Sequence, residues 1–436
     1  MPSFQLWFQR FSHKTTCRWE NMPCGGKGGS MQKAVSLYRA LYRRQGLVLG
    51  LISLTLLWRL CLMALGEIPF SHDPLDSYTL QALAWRAGSL HLPQNIPALE
   101  LAVYQGDYYV SFPPVPTIPL WILTFFYGEQ TPNRVLNLCY FLMSFGVGYS
   151  LCMRFGKKDL LAALWAAFLV AGCNLLNLCW YGGVWYQAQA LSFLLTLSAF
   201  RFLAGKKPAS WGAGLAMIAL AVGCRPFQAV YVPPALWLCY RNIQKKLKLP
   251  PLKALIRMVP LLIVPGLIAL GYGLYNLFRF DNFFEFGHSY LPEVSQYGAL
   301  FSPDYIKINF MNIFRLPWME AGRLKFPIFS GFAFYLVNPL YVVAFAAMLR
   351  AAFHLRLRPV HGLTAGCMIV HFILLLCHRT FGGWQFGTRY LIDLCPVLFF
   401  VTLHLRQKPR LYEGALMILG VLVNLYGGLS FYLSGG

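Results

Sequence analysis

The sequence predicts an all-α polytopic membrane protein with about eleven transmembrane helices. First, the 436-residue chain is 57% hydrophobic and only 12% charged, whereas a soluble domain carries roughly 25% charged residues. Second, its apolar runs approach the ~20 residues that a helix needs to cross a bilayer. Third, its basic residues form short clusters between those runs. Because backbone in lipid must satisfy its own hydrogen bonds, the runs are predicted to be helices.

Two long polar regions, 66–131 and 279–327, interrupt the apolar runs. Neither is long enough for a separate large domain, so we predict one membrane domain over 46–436 with these two outer loops. A basic cytoplasmic tail, 1–45, is predicted to precede it. The predicted spans are 46–65, 133–153, 160–178, 185–204, 210–224, 226–240, 258–278, 328–350, 361–378, 391–404 and 411–432.

The segment 114–127 decides the topology, because basic clusters favour the cytoplasmic side. If it were a full span, Lys157 and Lys158, and also Lys206 and Lys207, would lie outside. If it is an interfacial helix, every basic cluster lies inside. The second assignment predicts a cytoplasmic N-terminus, an extracytoplasmic C-terminus and both polar loops on the extracytoplasmic face.

The formal charge of +22 does not indicate a nucleic-acid partner, because the basic clusters have the positions of membrane anchors. The twelve cysteines are scattered, many of them inside apolar runs. There they behave as small hydrophobic residues. Neither a disulfide framework nor a zinc site is predicted.

Three carboxylates stand out in the first outer loop. Asp73 and Asp76 precede a predicted amphipathic helix from Tyr78 to Ala87. Such an acid serves as a general base or caps the following helix, and the spacing alone favours capping. Glu100 is open to three interpretations: a second acid, a metal ligand or a solvated residue.

Two outer segments carry cations beside helix ends. Arg225 lies between two apolar runs, where it needs a counter-charge. Its guanidinium could bind a phosphate group, or the residue could be a snorkelling arginine at the membrane interface. The turn 379–390 places Arg389, Trp384 and Tyr390 among glycines, which suits a phosphate and a sugar face or a tight re-entrant turn. His288, in the second loop, is by itself more often structural than catalytic.

The order of these segments resembles the GT-C superfamily of membrane glycosyltransferases. The likeness is to the bacterial relatives of the protein O-mannosyltransferases and the aminoarabinose transferases, and it covers roughly 46–430. Its motifs are HDPLDSYTLQALAWRAGSLHL, YQGDYYVSFPPVP, Asn133-Arg134-Val135, Arg225-Pro226, NFFEFGHSYLP and GGWQFGTRYL. The chain lacks a Walker loop and a dinucleotide fingerprint, so the energy for a reaction must come from the substrate.

The resemblance implies transfer of a sugar from a polyprenyl-phosphate donor to a glycan, lipid or protein acceptor, on the outer side of the bacterial inner membrane. It implies that Asp73 or Asp76 is the general base or orients the acceptor, and that 114–127 is a juxtamembrane helix. Some relatives carry a lysine for the donor phosphate where this chain has Phe112. Phosphate binding is therefore predicted for Arg225 and Arg389. The predicted substrate-binding residues are Glu100, Tyr108, Tyr109, His288, Trp384 and Tyr390, with no cofactor or metal ion.

Two other functions are compatible with the sequence. A transporter or flippase of lipid-linked sugars often has internal repeats, and no convincing repeat is present. A non-catalytic GT-C-like scaffold is the second, because the phosphate-binding lysine of the relatives is missing.

Overall fold

The computed structural model describes residues 44–405 and 410–433. The predicted basic tail, 1–45, therefore lies almost entirely outside the described residues. The described helices are α1 (Gln45–Ala64), α2 (Ser77–Arg86), α3 (Thr117–Tyr127), α4 (Asn133–Arg154), α5 (Asp159–Ala171), α6 (Leu175–Leu178), α7 (Val184–Leu203), α8 (Pro208–Val222), α9 (Val232–Leu247), α10 (Pro251–Met258), α11 (Ile263–Phe280), α12 (Pro292–Tyr297), α13 (Tyr305–Asn312), α14 (Phe334–Val337), α15 (Leu340–Phe353), α16 (Pro359–Leu376), α17 (Cys395–Leu405) and α18 (Leu411–Leu433).

The prediction of an all-α polytopic fold is confirmed, and each of the eleven predicted spans has a helical counterpart. Among the described residues, five helical segments are long and apolar enough to cross a membrane: α1, α4, Pro251–Phe280, α16 and α18. The apolar helices α5, α8 and α15 are shorter. Two strand pairs interrupt the helices, β1 (Leu101–Tyr104) with β2 (Asp107–Val110) and β3 (Trp318–Glu320) with β4 (Arg323–Lys325), both antiparallel.

Helix α7 forms the centre of the bundle. Most of its residues are buried, and it packs against α4, α8 and α17. A helix that is apolar around its whole circumference is expected inside a bundle. By contrast, only 6% of the Pro251–Phe280 window is buried, so this segment presents an apolar surface outward.

The segment 114–127 has the length of an interfacial helix. Helix α3 contains 11 residues, about 16 Å at 1.5 Å per residue, whereas the hydrocarbon core is about 30 Å thick. Thr117, Leu120 and Thr124 are buried where α3 packs on α2. Trp121 and Phe126 are exposed on its other side. The first loop thus contains the predicted short helix, and the face that it exposes is aromatic and apolar.

Two predicted spans are broken where the sequence analysis expected continuous helix. The run 328–350 becomes helical only at α14, because Ser330, Gly331 and Ala333 all have positive φ angles. The run 160–178 is interrupted between α5 and α6. The apolar composition of these runs does not predict such breaks, because composition depends on whether residues are buried and not on the direction of the backbone.

A pair of asparagines joins these two breaks. Asn338 Nδ2 donates to Asn174 Oδ1 at 3.1 Å, and Asn174 N donates to Asn338 Oδ1 at 3.1 Å. Asn424 of α18 donates to the carbonyl oxygen of Val337 at 2.7 Å and accepts from Asn177 at 2.9 Å. We call Asn174, Asn177, Asn338 and Asn424 the asparagine clasp. All four are buried, so the clasp pairs backbone groups that the breaks release.

Replacing Asn424 by leucine is expected to destabilise the protein. It leaves the Val337 carbonyl and the Asn177 amide with one partner fewer, at about 1–3 kcal/mol for each group left unpaired. Thermal unfolding in detergent, followed by a dye that reacts with the buried cysteines, measures the effect. The control is Leu422→Ala on the exposed face of α18. Equal melting temperatures for the two variants would show that the clasp is not stabilising.

Candidate functional site

Asp76 caps helix α2. Its Oδ1 accepts from the backbone N of Tyr78 at 3.0 Å and of Thr79 at 3.4 Å. Its Oδ2 accepts from Thr79 Oγ1 at 2.6 Å and from Asn133 Nδ2 at 3.0 Å. Burial raises the pKa of Asp76, while hydrogen bonds from Asn133, Thr79 and Gln187 act in the opposite direction. The bonds are those of the capping alternative, and the catalytic role of Asp76 stays a prediction.

Asp73 ties the first loop to the turn before α7. Its two carboxylate oxygens accept from the backbone N of Leu75 at 3.1 Å and of Gly182 at 3.0 Å. A side chain at Gly182 would collide with Asn133, so glycine is required for this close approach. Asp73 is only 6% exposed. Its catalytic role likewise stays a prediction, and its observed partners are backbone groups.

Arg225 finds its counter-charge in Asp393. Arg225 Nε donates to Asp393 Oδ2 at 3.0 Å, and the guanidinium lies 4.6 Å from the ring centre of Tyr390. Gln189 and Gln228 hold Asp393 from the other side. Sequence analysis did not select Asp393, although a single acid inside the apolar run 391–404 is a recognisable signal of function or pairing.

Arg389 is a buried cation with an unsatisfied N–H group. Arg389 is only 6% exposed. Nε and Nη2 donate to the carbonyl oxygen of Gly382 at 3.3 and 2.9 Å, whereas Nη1 has no hydrogen-bond partner among the described residues. The ion pairs found within 44–405 and 410–433 do not include Arg389. Its guanidinium lies 5.4 Å from the ring centre of Tyr186 and 5.3 Å from that of Tyr390.

Tyr390 is where the two predicted phosphate-binding arginines meet. Its ring contacts both guanidinium groups and the ring of His378, whose centre is 5.3 Å away. Two guanidinium groups therefore meet at one tyrosine ring, and Asp393 pairs with one of them. We call Arg225, Arg389, Tyr390 and His378 the arginine site.

His288 and Glu100 lie within electrostatic range of the arginine site. Burial lowers the pKa of His288, and Arg225 lowers it further. Glu100 has left-handed backbone angles, φ 51° and ψ 57°, and its Oε2 accepts from Trp185 Nε1 at 3.1 Å. Burial raises the pKa of Glu100, and the charge of Arg389 opposes that rise.

Three predicted sugar-binding aromatics have packing partners of their own. The Tyr109 ring packs on Phe280, with 5.3 Å between ring centres. The Trp384 ring packs on Phe431 of α18 at 4.6 Å. Tyr108 pairs with Val103 across the β1–β2 hairpin and is half-buried. Their substrate-binding roles stay predictions. Sequence analysis missed Tyr186, whose ring centre lies 5.4 Å from the Arg389 guanidinium.

A metal centre is not apparent in the part of the chain that the structure describes. No group of three or more His, Cys, Asp or Glu side chains there is placed to hold an ion. The prediction that the chain needs no metal stays a prediction.

Comparisons with known proteins reveal relatives only at the level of structure. No family model and no curated protein matches the chain. The oligosaccharyltransferase of Archaeoglobus fulgidus, solved in its apo form, shares 15% sequence identity with this chain and superposes with a TM-score of 0.52. The aligned region covers 92% of this chain and 56% of the oligosaccharyltransferase. ArnT from Cupriavidus metallidurans, solved with bound undecaprenyl phosphate, shares 14% sequence identity with this chain and superposes with a TM-score of 0.49. The aligned region covers 86% of this chain and 62% of ArnT.

This chain thus spans less than two thirds of the length of either solved structure. The likeness to the oligosaccharyltransferase shows the fold, and it confirms the GT-C-like fold predicted from the sequence.

Replacing Asp76 by alanine is expected to lower the free energy of unfolding by about 0.5–2 kcal/mol through loss of the helix cap. Thermal unfolding in detergent measures the change. Glu129→Ala, at an exposed position in the same loop, is the matched control. If both variants unfold at the wild-type temperature, the cap does not stabilise the loop.

The Arg225–Asp393 pair predicts a non-additive pair of substitutions. Asp393→Leu alone strands a cation and is expected to destabilise the protein by about 3–5 kcal/mol. Replacing both residues by leucine removes the stranded charge as well. The double variant is therefore expected to melt at a higher temperature than Asp393→Leu. Additive losses would contradict a direct pairing.

Proposed function

We propose that this chain is a membrane glycosyltransferase that takes its sugar from a polyprenyl-phosphate donor and transfers it to an acceptor on the extracytoplasmic face. One observation carries the proposal. Arg389 is a buried guanidinium with an unpaired N–H group, next to a second arginine on the same tyrosine ring. A bound phosphate would satisfy it.

The energetics of Arg389 favour an anionic ligand. A buried donor without a partner costs about 1–3 kcal/mol, and more when it is charged. Asp393 offsets the charge of Arg225, but no carboxylate forms an ion pair with Arg389 among the described residues. The planar fork of arginine fits phosphate oxygens with two parallel hydrogen bonds. A phosphate group that arrives with the substrate would therefore satisfy the unpaired N–H group of Arg389.

The surroundings of the arginine site favour a donor with a lipid tail. Arg225 lies three residues after the end of α8, and Tyr390 lies in the 3-10 helix that leads into α17. Helix α11 packs against α8 and presents a largely apolar surface outward. A polyprenyl chain in the bilayer would therefore lie beside the helices that carry the arginines, with its phosphate at the site.

The chemistry needs three contributions from the chain. An acceptor hydroxyl attacks the anomeric carbon as the bond from that carbon to the phosphate oxygen breaks. The polyprenyl phosphate leaves with the bonding electron pair, and Arg389 and Arg225 stabilise its charge. A carboxylate of the first outer loop takes the acceptor proton; Asp73, Asp76 and Glu100 are the candidates. His288, Tyr108, Tyr109 and Trp384 are the proposed contacts to the sugar and acceptor.

The shared fold adds support at a coarser level, because the solved structure with that fold is an oligosaccharyltransferase. We also propose that the chain lies in the bacterial inner membrane, with a cytoplasmic N-terminus and an extracytoplasmic C-terminus. The clustered basic residues support this orientation. The proposed reaction needs no cofactor or metal ion.

Arg389→Gln is expected to weaken binding of undecaprenyl phosphate about 10- to 100-fold, since a hydrogen bond to a charged group contributes about 1.5–3 kcal/mol. Arg389→Lys keeps the charge but loses the fork, so it is expected to restore only part of the affinity. Microscale thermophoresis with the purified chain in nanodiscs measures the dissociation constant. Arg323→Gln, in the exposed β3–β4 hairpin, is the control.

The same preparation tests the function itself. Labelled mannose, glucose and aminoarabinose, each linked to undecaprenyl phosphate, are offered with membranes that supply acceptors. Transfer of one label is expected. A chain that moves the lipid across the bilayer without releasing sugar is a flippase, and one that binds no undecaprenyl phosphate contradicts the proposal.

A further inference from the structure

We propose that Glu100 is the general base that takes the proton from the acceptor hydroxyl. The inference rests on the proposed glycosyl transfer and selects one of its three candidate carboxylates. It is based on the backbone that holds Glu100, the residues that link it to the arginine site, and the hydrogen-bonding capacity that each carboxylate has left.

The backbone of Glu100 is held in an unfavourable conformation. Its angles of φ 51° and ψ 57° lie in the left-handed region, which residues other than Gly, Asn and Asp seldom adopt. The flanking Leu99 and Leu101 are both buried in one apolar cluster. Ser111 Oγ donates to the carbonyl oxygen of Glu100 at 2.8 Å. Conformations of this kind cluster at functional sites, where surrounding structure maintains them.

Two consecutive residues connect Glu100 to the arginine site. Trp185, in the first turn of α7, donates to Glu100 Oε2 at 3.1 Å. The next residue, Tyr186, has its ring centre 5.4 Å from the Arg389 guanidinium. Glu100 and Arg389 thus both contact the first turn of α7. Such rigid positioning is what a transfer reaction needs on the two sides of the reacting carbon.

The three carboxylates differ in how much hydrogen-bonding capacity remains. An ionised carboxylate accepts about four hydrogen bonds. Asp76 already accepts four, so it has no lone pair left for an acceptor proton. Asp73 is buried and holds two backbone N–H groups. The Glu100 carboxylate accepts only from Trp185 among the described residues, and Glu100 is exposed.

The proton step is balanced with the transfer. As the acceptor oxygen bonds to the anomeric carbon, its proton passes to the free oxygen of Glu100. The bond between that carbon and the phosphate oxygen breaks, and the electron pair leaves with the polyprenyl phosphate. Although the residue as a whole is exposed, protein atoms around its carboxylate displace part of the water there and raise the pKa of Glu100, which strengthens it as a base. Protonation removes this base, so the rate must fall as the pH drops through its pKa.

Glu100→Gln is expected to lower kcat for sugar transfer about 100-fold or more. Its affinity for undecaprenyl phosphate should stay within about twofold, because the arginines are intact. Glu100→Asp should retain part of the activity with an altered acidic limb in its pH profile. The assay is transfer from the labelled undecaprenyl-phosphate sugars, with thermophoresis for lipid binding.

Glu100→Gly separates function from folding. Glycine adopts the left-handed region without strain, so this variant should melt at or above the wild-type temperature while it loses transfer. Asp107→Asn, on the neighbouring strand β2, is the matched control and should transfer at the wild-type rate. Its carboxylate lies 3.7 Å from His91 and is half exposed.

The outcomes distinguish this inference from the proposed function. If Glu100→Gln transfers sugar at the wild-type rate with an unchanged pH profile, Glu100 is not the base. If Asp73→Asn or Asp76→Asn folds and binds undecaprenyl phosphate but loses transfer, while Glu100→Gln keeps it, the base is the aspartate. A wild-type chain that neither binds the lipid phosphate nor transfers sugar overturns the proposed function instead.

Discussion

The structure depends on one constraint: every polar group placed inside an apolar bundle must find a partner there. The asparagine clasp meets this constraint where two helices break. It also positions the arginine site, because Asn174 Nδ2 donates to the carbonyl oxygen of Phe386 at 2.7 Å. Phe386 lies three residues before Arg389 in the turn after α16. The same asparagine thus joins a broken helix and the turn that carries Arg389.

At the arginine site this pairing is incomplete, as it is at several other buried side chains among the described residues. Arg225 has a carboxylate partner in Asp393, and Arg389 has only the Gly382 carbonyl and two aromatic rings. A protein interior rarely keeps such a group without use. The two arginines therefore differ in how completely they are paired. The ion pair with Asp393 fixes the position of Arg225. Arg389 keeps an N–H group without a hydrogen-bond partner, and a phosphate oxygen could accept from it.

The acids of the first outer loop divide in a similar way. Asp73 and Asp76 stabilise the loop, since their oxygens bind backbone groups of the loop and of the turn before α7. Glu100 is an exposed residue whose carboxylate accepts from Trp185, and the hydroxyl of Ser111 holds its left-handed backbone. In the proposed reaction, structural and chemical roles are thus carried by different carboxylates, although all three lie in one loop and have the same functional group.

The sequence by itself determined the membrane class, the helical positions and the region of the arginine site. Hydropathy and charge patterns can be read from contiguous stretches of sequence. They therefore predict that 114–127 is a short interfacial helix and that Arg225 and Arg389 are cations at helix ends. Tertiary structure decided which groups are already paired. Asp393 lies 168 residues from Arg225 along the chain, and Gly182 lies 109 residues from Asp73. Spacing within a motif contains no information about such partners, and those partners decide which carboxylate and which guanidinium remain free to act.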